Sequence, residues 1–326
     1  MKLIESIEIK NFKSIRHQKI EGCKRVNVFI GYPNVGKSNI LEALSVFQYC
    51  KLKYPADFNT YCRYEVMSNI FFEGNVKENV SVEYNNYEKI NIKYESETAL
   101  NFSVLKNNND VKPDWSHTSD PEINVFKYQF LLNSLYKDVV TLKHLQSPHG
   151  QNLFGIIASN IELRKFFNEL LKSYNLKLLV DRTSNSLRLI REIGDDTIFQ
   201  LPYILMADTL QRLIFYRAAI TTNENTVLLF EEPEAHMFPP FISKFTADVM
   251  YDNNKNQFFI ATHSPFVLND FMENLKNDEL GIYVVGYKKE TGETIVRKLS
   301  ESELHEIYQY GIDLYLNLEN YLMHEQ

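Results

Sequence analysis

The chain has 326 residues, of which 44% are hydrophobic and 24% are charged, so it is long enough to bury one large core or two modest ones. No run of about eighteen apolar residues is present, which argues against a membrane span, and three scattered cysteines are too few for a disulfide framework or a zinc site. The net charge is −7, so nucleic acid would need a local basic surface to bind.

The first predicted unit is a strand, a glycine loop and a helix. Residues 4–9 alternate apolar and polar side chains, which is the strand period, and residues 11–14 break that strand. Val26–Ile30 reads as a buried strand that runs into Gly31, and residues 39–47 are apolar at helical spacing. A strand before the loop and a helix after it are the context that a phosphate-binding loop requires.

The middle of the chain predicts antiparallel strands. Three segments alternate as strands with one solvent-facing side do, namely 80–84, 90–94 and 102–105. The asparagine-rich segment 107–110 predicts a turn, and 157–174 predicts one long helix. Three further short strands are expected at 176–180, 186–191 and 197–201.

From residue 205 onward the prediction alternates helices and strands. Helices are expected at 209–220, at 240–250 and from 265 to about 275, with buried strands at 227–230 and 258–261 between them and a last helix at 307–323. This order is typical of parallel strands covered by helices. We therefore predict an α/β fold with a mostly parallel core sheet and helices, plus an antiparallel β lobe.

The loop Gly31-Tyr32-Pro33-Asn34-Val35-Gly36-Lys37-Ser38 matches the pattern G-x-x-x-x-G-K-S in full. Successive backbone N–H groups of such a loop form an anion-binding nest, and the following helix presents its positive end. Gly31 and Gly36 allow backbone angles and a close approach that a Cβ would obstruct. Lys37 is expected on the β- and γ-phosphates of ATP, and Ser38 is expected to offer its hydroxyl to Mg²⁺.

Hydrolysis needs one carboxylate that holds Mg²⁺ and another that polarises the attacking water. Two acids follow the buried strand 227–230 directly, and we predict Glu231 as the Mg²⁺-side carboxylate and Glu232 as the general base. Acids that complement a helix dipole are the alternative, and they account for Glu234 better than for two acids at a strand end.

A histidine follows the next buried strand. Residues 257–262 deliver His263, which is placed to reach a γ-phosphate through one hydrogen bond, and a buried structural histidine is the alternative. Because the carboxyl ends of parallel strands meet at one edge of a sheet, we expect Lys37, the acid pair and His263 to face one crevice.

These motifs together resemble those of ABC-type ATPases of the SMC, RecF, RecN and OLD kind. The resemblance is carried by residues 7–14, by Gly31 to Asn39, by 229–236 (LFEEPEAH) and by 261–265 (ATHSP). It implies one ABC-type ATPase head over 1–326 that binds ATP and Mg²⁺ and uses Gly31 to Asn39 for the nucleotide. Lobe I would span about 1–155, and lobe II about 156–326.

The resemblance also implies an ATP-sandwich dimer, in which a signature helix of the other subunit completes each ATP site. The matching segment is 207–212, where Asp208 and Thr209 are the candidate nucleotide contacts and Asp208 as a helix N-cap is the structural alternative. Relatives carry serine where this chain has Ala207, so Thr209 is the candidate replacement, and Glu231 stands where most relatives have Asp. Gln129 is the candidate for the glutamine loop.

The expected function is that of a stand-alone ATPase head, because we find no coiled-coil heptads and expect too few residues after His263 for a toprim domain. We expect a Mg²⁺-dependent, self-associating switch or sensor of phage defence or DNA-associated processes. Its partner would be an effector or toxin from a neighbouring gene. An ATP-binding scaffold with little turnover is the alternative; a nuclease would need an acidic cluster that Asp195 and Asp196, in a predicted turn, do not supply.

Two expectations concern the surroundings of the protein. The early acidic and polar residues predict no signal peptide and a cytoplasmic location without a membrane partner. DNA stays open as a partner, because one basic cluster lies near the start of the chain and is equally well explained as a solvated strand or turn. It comprises Lys10, Lys13, Arg16, His17, Lys19, Lys24 and Arg25.

Overall fold

The computed structural model describes residues 3–52, 57–107, 109–111, 123–132, 143–194 and 196–322. In chain order its strands are β1 Ser6–Phe12, β2 Ile15–Glu21, β3 Val26–Ile30, β4 Val80–Tyr84, β5 Glu88–Ser96, β6 Ala99–Lys106, β7 Asn109–Val111, β8 Asn124–Tyr128, β9 Lys177–Asp181, β10 Ser186–Glu192, β11 Ile198–Pro202, β12 Thr226–Glu231, β13 Gln257–Ala261, β14 Leu280–Lys288 and β15 Glu293–Lys298. Its helices are α1 Lys37–Cys50, α2 Leu153–Ser159, α3 Ile161–Lys172, α4 Asp208–Thr222, α5 Pro239–Met250, α6 Pro265–Asn274, α7 Glu301–Tyr310 and α8 Leu318–Leu322.

The chain forms two compact units, and one of them collects segments from both ends of the sequence. The first unit comprises Met1–Lys127, Asn225–Glu232 and Lys255–Gln326, and the second comprises Tyr128–Glu224 and Pro233–Asn254. These units do not follow the predicted division near residue 155. The reason is that β12 and β13, which come late in the chain, hydrogen-bond into the sheet that contains β3.

A six-stranded sheet of mixed direction lies at the centre of the first unit, in the order β15-β14-β3-β13-β12-β8. The four strands β14, β3, β13 and β12 run parallel to one another, and β15 pairs antiparallel with β14. Every residue of β3 and β13 is buried. Strands covered on both faces read as continuous apolar runs, which is why the sequence predicts them correctly and why the predicted α/β fold is confirmed.

The second sheet of this unit is antiparallel, in the order β2-β1-β4-β5-β6-β7. Helix α1 packs on strands of both sheets, and its apolar side chains belong to one continuous core with them. The predicted antiparallel lobe is therefore confirmed, since β4, β5 and β6 contain the three alternating segments.

The second unit contains helices α2 to α5 and the small antiparallel sheet β11-β10-β9. The single helix predicted for residues 157–174 is wrong, because two helices meet at Asn160. The side chain of Asn160 accepts a hydrogen bond from the Leu163 backbone N–H at 3.0 Å and so starts α3 as its N-cap. The three short strands predicted after this helix are confirmed.

Several local predictions in the first unit also need correction. The first strand does not break at residue 11 but continues to Phe12, and a tight turn with Lys13 at φ 51° leads into β2. Within residues 107–110, Asn107 at φ 49° makes a turn, but β7 begins at Asn109; Asn108 lies outside the described residues.

The sequence prediction missed β14 and β15 entirely, and the predicted last helix is instead the pair α7 and α8. Ser300 and Glu303 form a capping box that starts α7, and Gly311 ends it with φ 60°. The end of the predicted helix, Met323, lies outside the described residues.

No helix within the described ranges combines the length and the apolar character that crossing a bilayer requires.

The Asn160 cap generates a local test of this fold. Asn160→Ala should destabilise the start of α3 by about 1 kcal/mol, because the Leu163 N–H loses its acceptor, while Asn160→Asp should retain the cap. Hydrogen exchange of the first-turn amides of α3 measures the difference. Equal protection in the wild type and Asn160→Ala would mean that the side chain does not define this helix start.

Candidate functional site

The phosphate loop connects the end of β3 to the start of α1, as the sequence predicts. Two of its residues have left-handed backbone angles, Asn34 at φ 64° and Gly36 at φ 100°. Gly31 is required for a different reason, since a Cβ at this position would lie 2.2 Å from the carbonyl oxygen of Val285. A side chain at Gly31 would therefore collide with the backbone of β14, and the loop is held close to this strand.

The Lys37 side chain reaches back across the phosphate loop to its first residues. Its side chain is buried, and its Nζ donates hydrogen bonds to the carbonyl oxygens of Gly31 at 2.9 Å and Tyr32 at 2.8 Å. An ammonium group held by backbone carbonyls inside an anion-binding loop is a point charge ready for phosphate. Tyr32, Pro33 and Asn34 are exposed on the outside of the loop, whereas Val35 is buried.

A small hydroxyl cluster supports the loop from the side of β15. Thr294, which is buried, donates from Oγ1 to the Val35 carbonyl at 2.8 Å and lies 2.6 Å from the hydroxyl of Ser14. Asn39 donates to the same Ser14 hydroxyl at 2.7 Å. A Cβ at Gly36 would lie 2.1 Å from the Thr294 Oγ1, so the loop is packed directly onto this cluster.

The strand register brings the other predicted residues to the same edge of the sheet. Glu231 is paired with Ala261, and Ala261 is paired with Phe29, so the ends of β12, β13 and β3 lie at one level. His263 Nε2 lies 3.5 Å from Glu232 Oε1. Glu232 has φ 42°, and its N–H donates to the Ala261 carbonyl at 2.8 Å. A non-glycine residue held in this region at the end of a core strand is typical of functional sites.

Burial lowers the pKa of the His263 imidazole below its ordinary value, the Lys37 ammonium lowers the pKa further, and the Glu232 carboxylate opposes both. The lowered pKa favours the neutral form of the ring. The effect of Lys37 on His263 also shows that the phosphate loop and the end of β13 share one electrostatic environment.

Glu231 has a partner that the sequence prediction did not identify. Its Oε1 accepts a hydrogen bond from Arg63 Nη2 at 3.0 Å, and Arg63 Nε donates to Glu42 Oε1 at 2.7 Å. Glu42 is fully buried on α1, and Lys13 forms an ion pair with its other oxygen. Arg63 thus links the helix of the phosphate loop to the carboxylate at the end of β12.

The donor atoms of the site suit magnesium. Ser38 offers a hydroxyl and Glu231 a carboxylate, and both are hard oxygen ligands of the kind that Mg²⁺ prefers alongside water and phosphate oxygens. Within the described ranges no group of three or more His, Cys, Asp or Glu residues could hold a metal alone. Asp195 of the nuclease alternative lies outside the described residues.

The signature segment lies in the second unit. The structural alternative for Asp208, an N-cap, does not apply: Ala207 occupies the cap position, and Asp208 is the first helical residue, paired with Arg212 at 3.0 Å. The Thr209 hydroxyl donates to the His236 carbonyl at 2.8 Å. Gln129 follows β8, and its backbone N–H donates to the Pro148 carbonyl.

The predicted basic cluster is largely neutralised. Five of its seven residues lie against carboxylates, as the pairs Lys10–Glu8, Lys13–Glu42, His17–Glu8, Lys19–Glu21 and Arg25–Glu279. In each pair a carboxylate offsets a positive charge, which reduces the net positive potential that a phosphate backbone would meet. The solvated-strand interpretation therefore describes this cluster better than a nucleic-acid surface does.

Three contributors to the site escaped sequence reasoning, namely Glu42, Arg63 and Thr294. Thr294 and Arg63 belong to no motif and reach the site only through the fold. Glu42 did carry a signal, since an acid four residues after Ser38 lies on the same face of α1 within an otherwise apolar stretch.

The fold of this chain is that of an SMC head. It is similar to the crystal structure of an Smc head bound to the C-winged helix domain of ScpA, with a TM-score of 0.58 and 15% identity over 94% of this chain and 100% of that chain. At this identity the similarity establishes the fold alone. Fold and site together define the class: a protein with the fold of an SMC head and a phosphate loop at the edge of its parallel strands.

Sequence comparison gives the family. The family model described as an AAA ATPase domain matches residues 1–195, more than half of the chain, and the chain belongs to this family. A Helicobacter pylori ATP/GTP phosphatase is 50% identical over 42 residues, 13% of this chain and 11% of that protein. Protein ea59 of Escherichia phage lambda is 24% identical over 155 residues, 40% of this chain and 30% of that protein. The chain thus matches less than a third of the length of either relative.

The hydroxyl cluster generates the first prediction for the site. Thr294→Val should weaken nucleotide binding about 5- to 10-fold, because the Val35 carbonyl and the Ser14 hydroxyl lose a partner. Thr294→Ser should restore the affinity. Titration with a fluorescent ATP analogue measures it, and Thr291→Val, which removes a hydroxyl without a hydrogen-bond partner among the described residues, is the matched control. Identical affinities for the Val and Ser variants at position 294 would contradict the prediction.

The electrostatic environment of His263 generates the second prediction. Its pKa should lie below 6.5; Lys37→Met should raise the pKa because a neighbouring cation is lost, and Glu232→Gln should lower it because an anion is lost. NMR titration of the imidazole resonances, assigned with a His263→Asn variant, measures these shifts. A pKa shift of the opposite sign in either variant would show that Lys37 and Glu232 do not control the titration of His263.

Proposed function

We propose that this chain binds ATP with Mg²⁺ on Gly31 to Asn39 and hydrolyses it at the edge of the parallel sheet. The observation that carries the proposal is the common level of the ends of β3, β12 and β13, with His263 3.5 Å from Glu232 and under the electrostatic influence of Lys37. Membership of the AAA ATPase domain family supports it. The separately predicted groups thereby serve one triphosphate.

Each group has a distinct chemical task in this proposal. The loop N–H groups and Lys37 bind the β- and γ-phosphates, and Ser38 and Glu231 are the residues that would hold the metal ion. Magnesium, when bound, neutralises charge on the phosphate oxygens. Glu232, whose side chain is half exposed, accepts a proton from the attacking water. Neutral His263 hydrogen-bonds the γ-phosphate, which links the phosphate to the end of β13.

We propose that ATP binding also pairs two copies of the chain. The likeness to an SMC head and the resemblance of residues 207–212 to a signature helix support this step, with Asp208 and Thr209 presented to the nucleotide of the other copy. Pairing would serve as a regulatory switch or sensor for an effector protein from a neighbouring gene, in phage defence or in DNA-associated processes. The neutralised basic cluster gives DNA itself no part in the proposal.

A second candidate is an ATP-holding scaffold with little turnover. Two observations favour slow hydrolysis. Ala207 supplies no hydroxyl, and the Thr209 hydroxyl is already bonded to the His236 carbonyl. A phosphate-release assay separates the two functions: Mg²⁺-dependent release no higher than that of Lys37→Ala would favour the scaffold.

The general-base assignment leads to a direct test. Glu232→Gln should lower the rate of ATP hydrolysis about 100-fold or more and leave nucleotide affinity nearly unchanged, because only proton transfer is lost. Lys37→Ala should instead weaken binding itself. Phosphate release and nucleotide titration on both variants measure the difference, and full activity of Glu232→Gln would remove this residue from the mechanism.

The same variant tests the pairing of two copies. Glu232→Gln with ATP and Mg²⁺ should accumulate as a dimer by light scattering, because the closed state cannot decay through hydrolysis. Lys37→Ala should stay at the mass it has without nucleotide. An ATP-bound Glu232→Gln protein that remains a monomer would rule out ATP-driven pairing.

A further inference from the structure

The Arg63 guanidinium occupies one oxygen of the carboxylate that the proposed function gives to magnesium. The distance from Arg63 Nη2 to Glu231 Oε1 is 3.0 Å, and Glu231 is only 14% exposed, so little of its carboxylate faces solvent. The Arg63 side chain is 60% exposed. The cation therefore approaches from the solvent side of the site.

The other end of Arg63 is fixed to a buried anion. Glu42 is 0% exposed and accepts a hydrogen bond from Arg63 Nε at 2.7 Å, while Lys13 pairs with its second oxygen and Lys127 Nζ lies 4.0 Å from its first. Lys13 Nζ also donates to the Arg63 carbonyl at 2.6 Å. A buried carboxylate surrounded by three cations is an anchor, because leaving it without partners would be costly.

These contacts make the two links of Arg63 unequal. The link to Glu42 is 2.7 Å long, and its acceptor is fully buried and also paired with Lys13. The link to Glu231 is longer, at 3.0 Å, and Arg63 is the one ion-pair partner of Glu231 among the described residues. Only the link to Glu231 lies on the carboxylate that the proposed function gives to the metal ion. A magnesium ion coordinates carboxylate oxygen at about 2.0–2.1 Å, so two cations would compete for the same side chain at short range.

We propose that Arg63 is the resident counter-ion of Glu231, that its ion pair with Glu231 and metal binding at Glu231 exclude each other, and that Glu42 keeps the released guanidinium at the site. This inference rests on the proposed function, since it concerns the same metal position. It makes Arg63 a positioning residue, because it acts through Glu231. Its consequence is that Glu231 is not a bare carboxylate before the nucleotide arrives, and that metal affinity is lowered by the loss of one ion pair.

The test measures how strongly magnesium assists nucleotide binding. The ratio of the dissociation constant of a fluorescent ATP analogue in EDTA to that in Mg²⁺ reports the metal contribution alone, so any direct effect of Arg63 on the phosphates cancels. Arg63→Met should raise this ratio about 2- to 5-fold, as expected for removal of a solvent-exposed competing ion pair. Arg63→Lys, which retains the charge, should give a smaller rise.

Two controls make the result specific. Arg25→Met removes a guanidinium that is paired with Glu279 at the same distance of 3.0 Å and should leave the ratio unchanged. In a Glu231→Gln background, Arg63→Met should have no effect on the ratio. A thermal melt confirms that each variant is folded, and the milder Arg63→Lys carries the test if the methionine variant is not.

The experiment distinguishes failure of the Arg63 competition from failure of the proposed ATP-binding function. An unchanged or lower ratio in the Arg63 variants would overturn the competition, and so would an equal rise in Arg25→Met. Failure of the proposed function looks different. It would appear as a wild-type protein whose nucleotide affinity is absent or is unaffected by Lys37→Ala.

Discussion

The parallel register of three core strands is the constraint on which the site depends. Because β12 pairs with β13 and β13 with β3 at one level, a turn after each strand is enough to bring Gly31, Glu232 and His263 to the same edge. These residues are separated by most of the chain, and only backbone hydrogen bonding brings them together. Both faces of β3 and β13 are buried, so a slip of one residue would exchange side chains between two closely packed core layers and disrupt the packing of both.

Polar contacts then turn this edge of the sheet into a defined site. Thr294 in β15 and Ser14 in the turn after β1 support the phosphate loop. Arg63 joins the helix that follows the loop to Glu231. Buried charges such as Glu42 are costly unless they are paired, and here the pairing partners belong to the site itself. Stability and site geometry are therefore supplied by the same side chains.

The sequence predicts the parts of this structure that depend on short, continuous sequence patterns. The apolar runs of β3, β12 and β13 and the spacing of the glycine loop identify the parallel core, and alternation identifies β4, β5 and β6. Prediction fails where a single polar side chain redirects the backbone, as Asn160 does when it divides one expected helix into two. It also misses β14, a buried run that continues into an exposed hairpin and carries no motif.

The candidate site follows the same division. The residues of the loop and of the strand ends could be identified because their chemistry requires fixed spacing along the chain. Arg63 and Thr294 could not, because their contribution arises from contacts between segments far apart in sequence. The N-cap that the sequence offered as an alternative role for Asp208 does not form, since the acid pairs with Arg212 one turn along its own helix.

The most direct test of the account is a crystal structure of Glu232→Gln with ATP and Mg²⁺. We predict the β- and γ-phosphates on the backbone N–H groups of residues 31–38, the metal ion between Ser38 and Glu231, and His263 within hydrogen-bonding distance of the γ-phosphate. A nucleotide bound elsewhere, or one whose γ-phosphate is contacted by neither Lys37 nor the ends of β12 and β13, would contradict it.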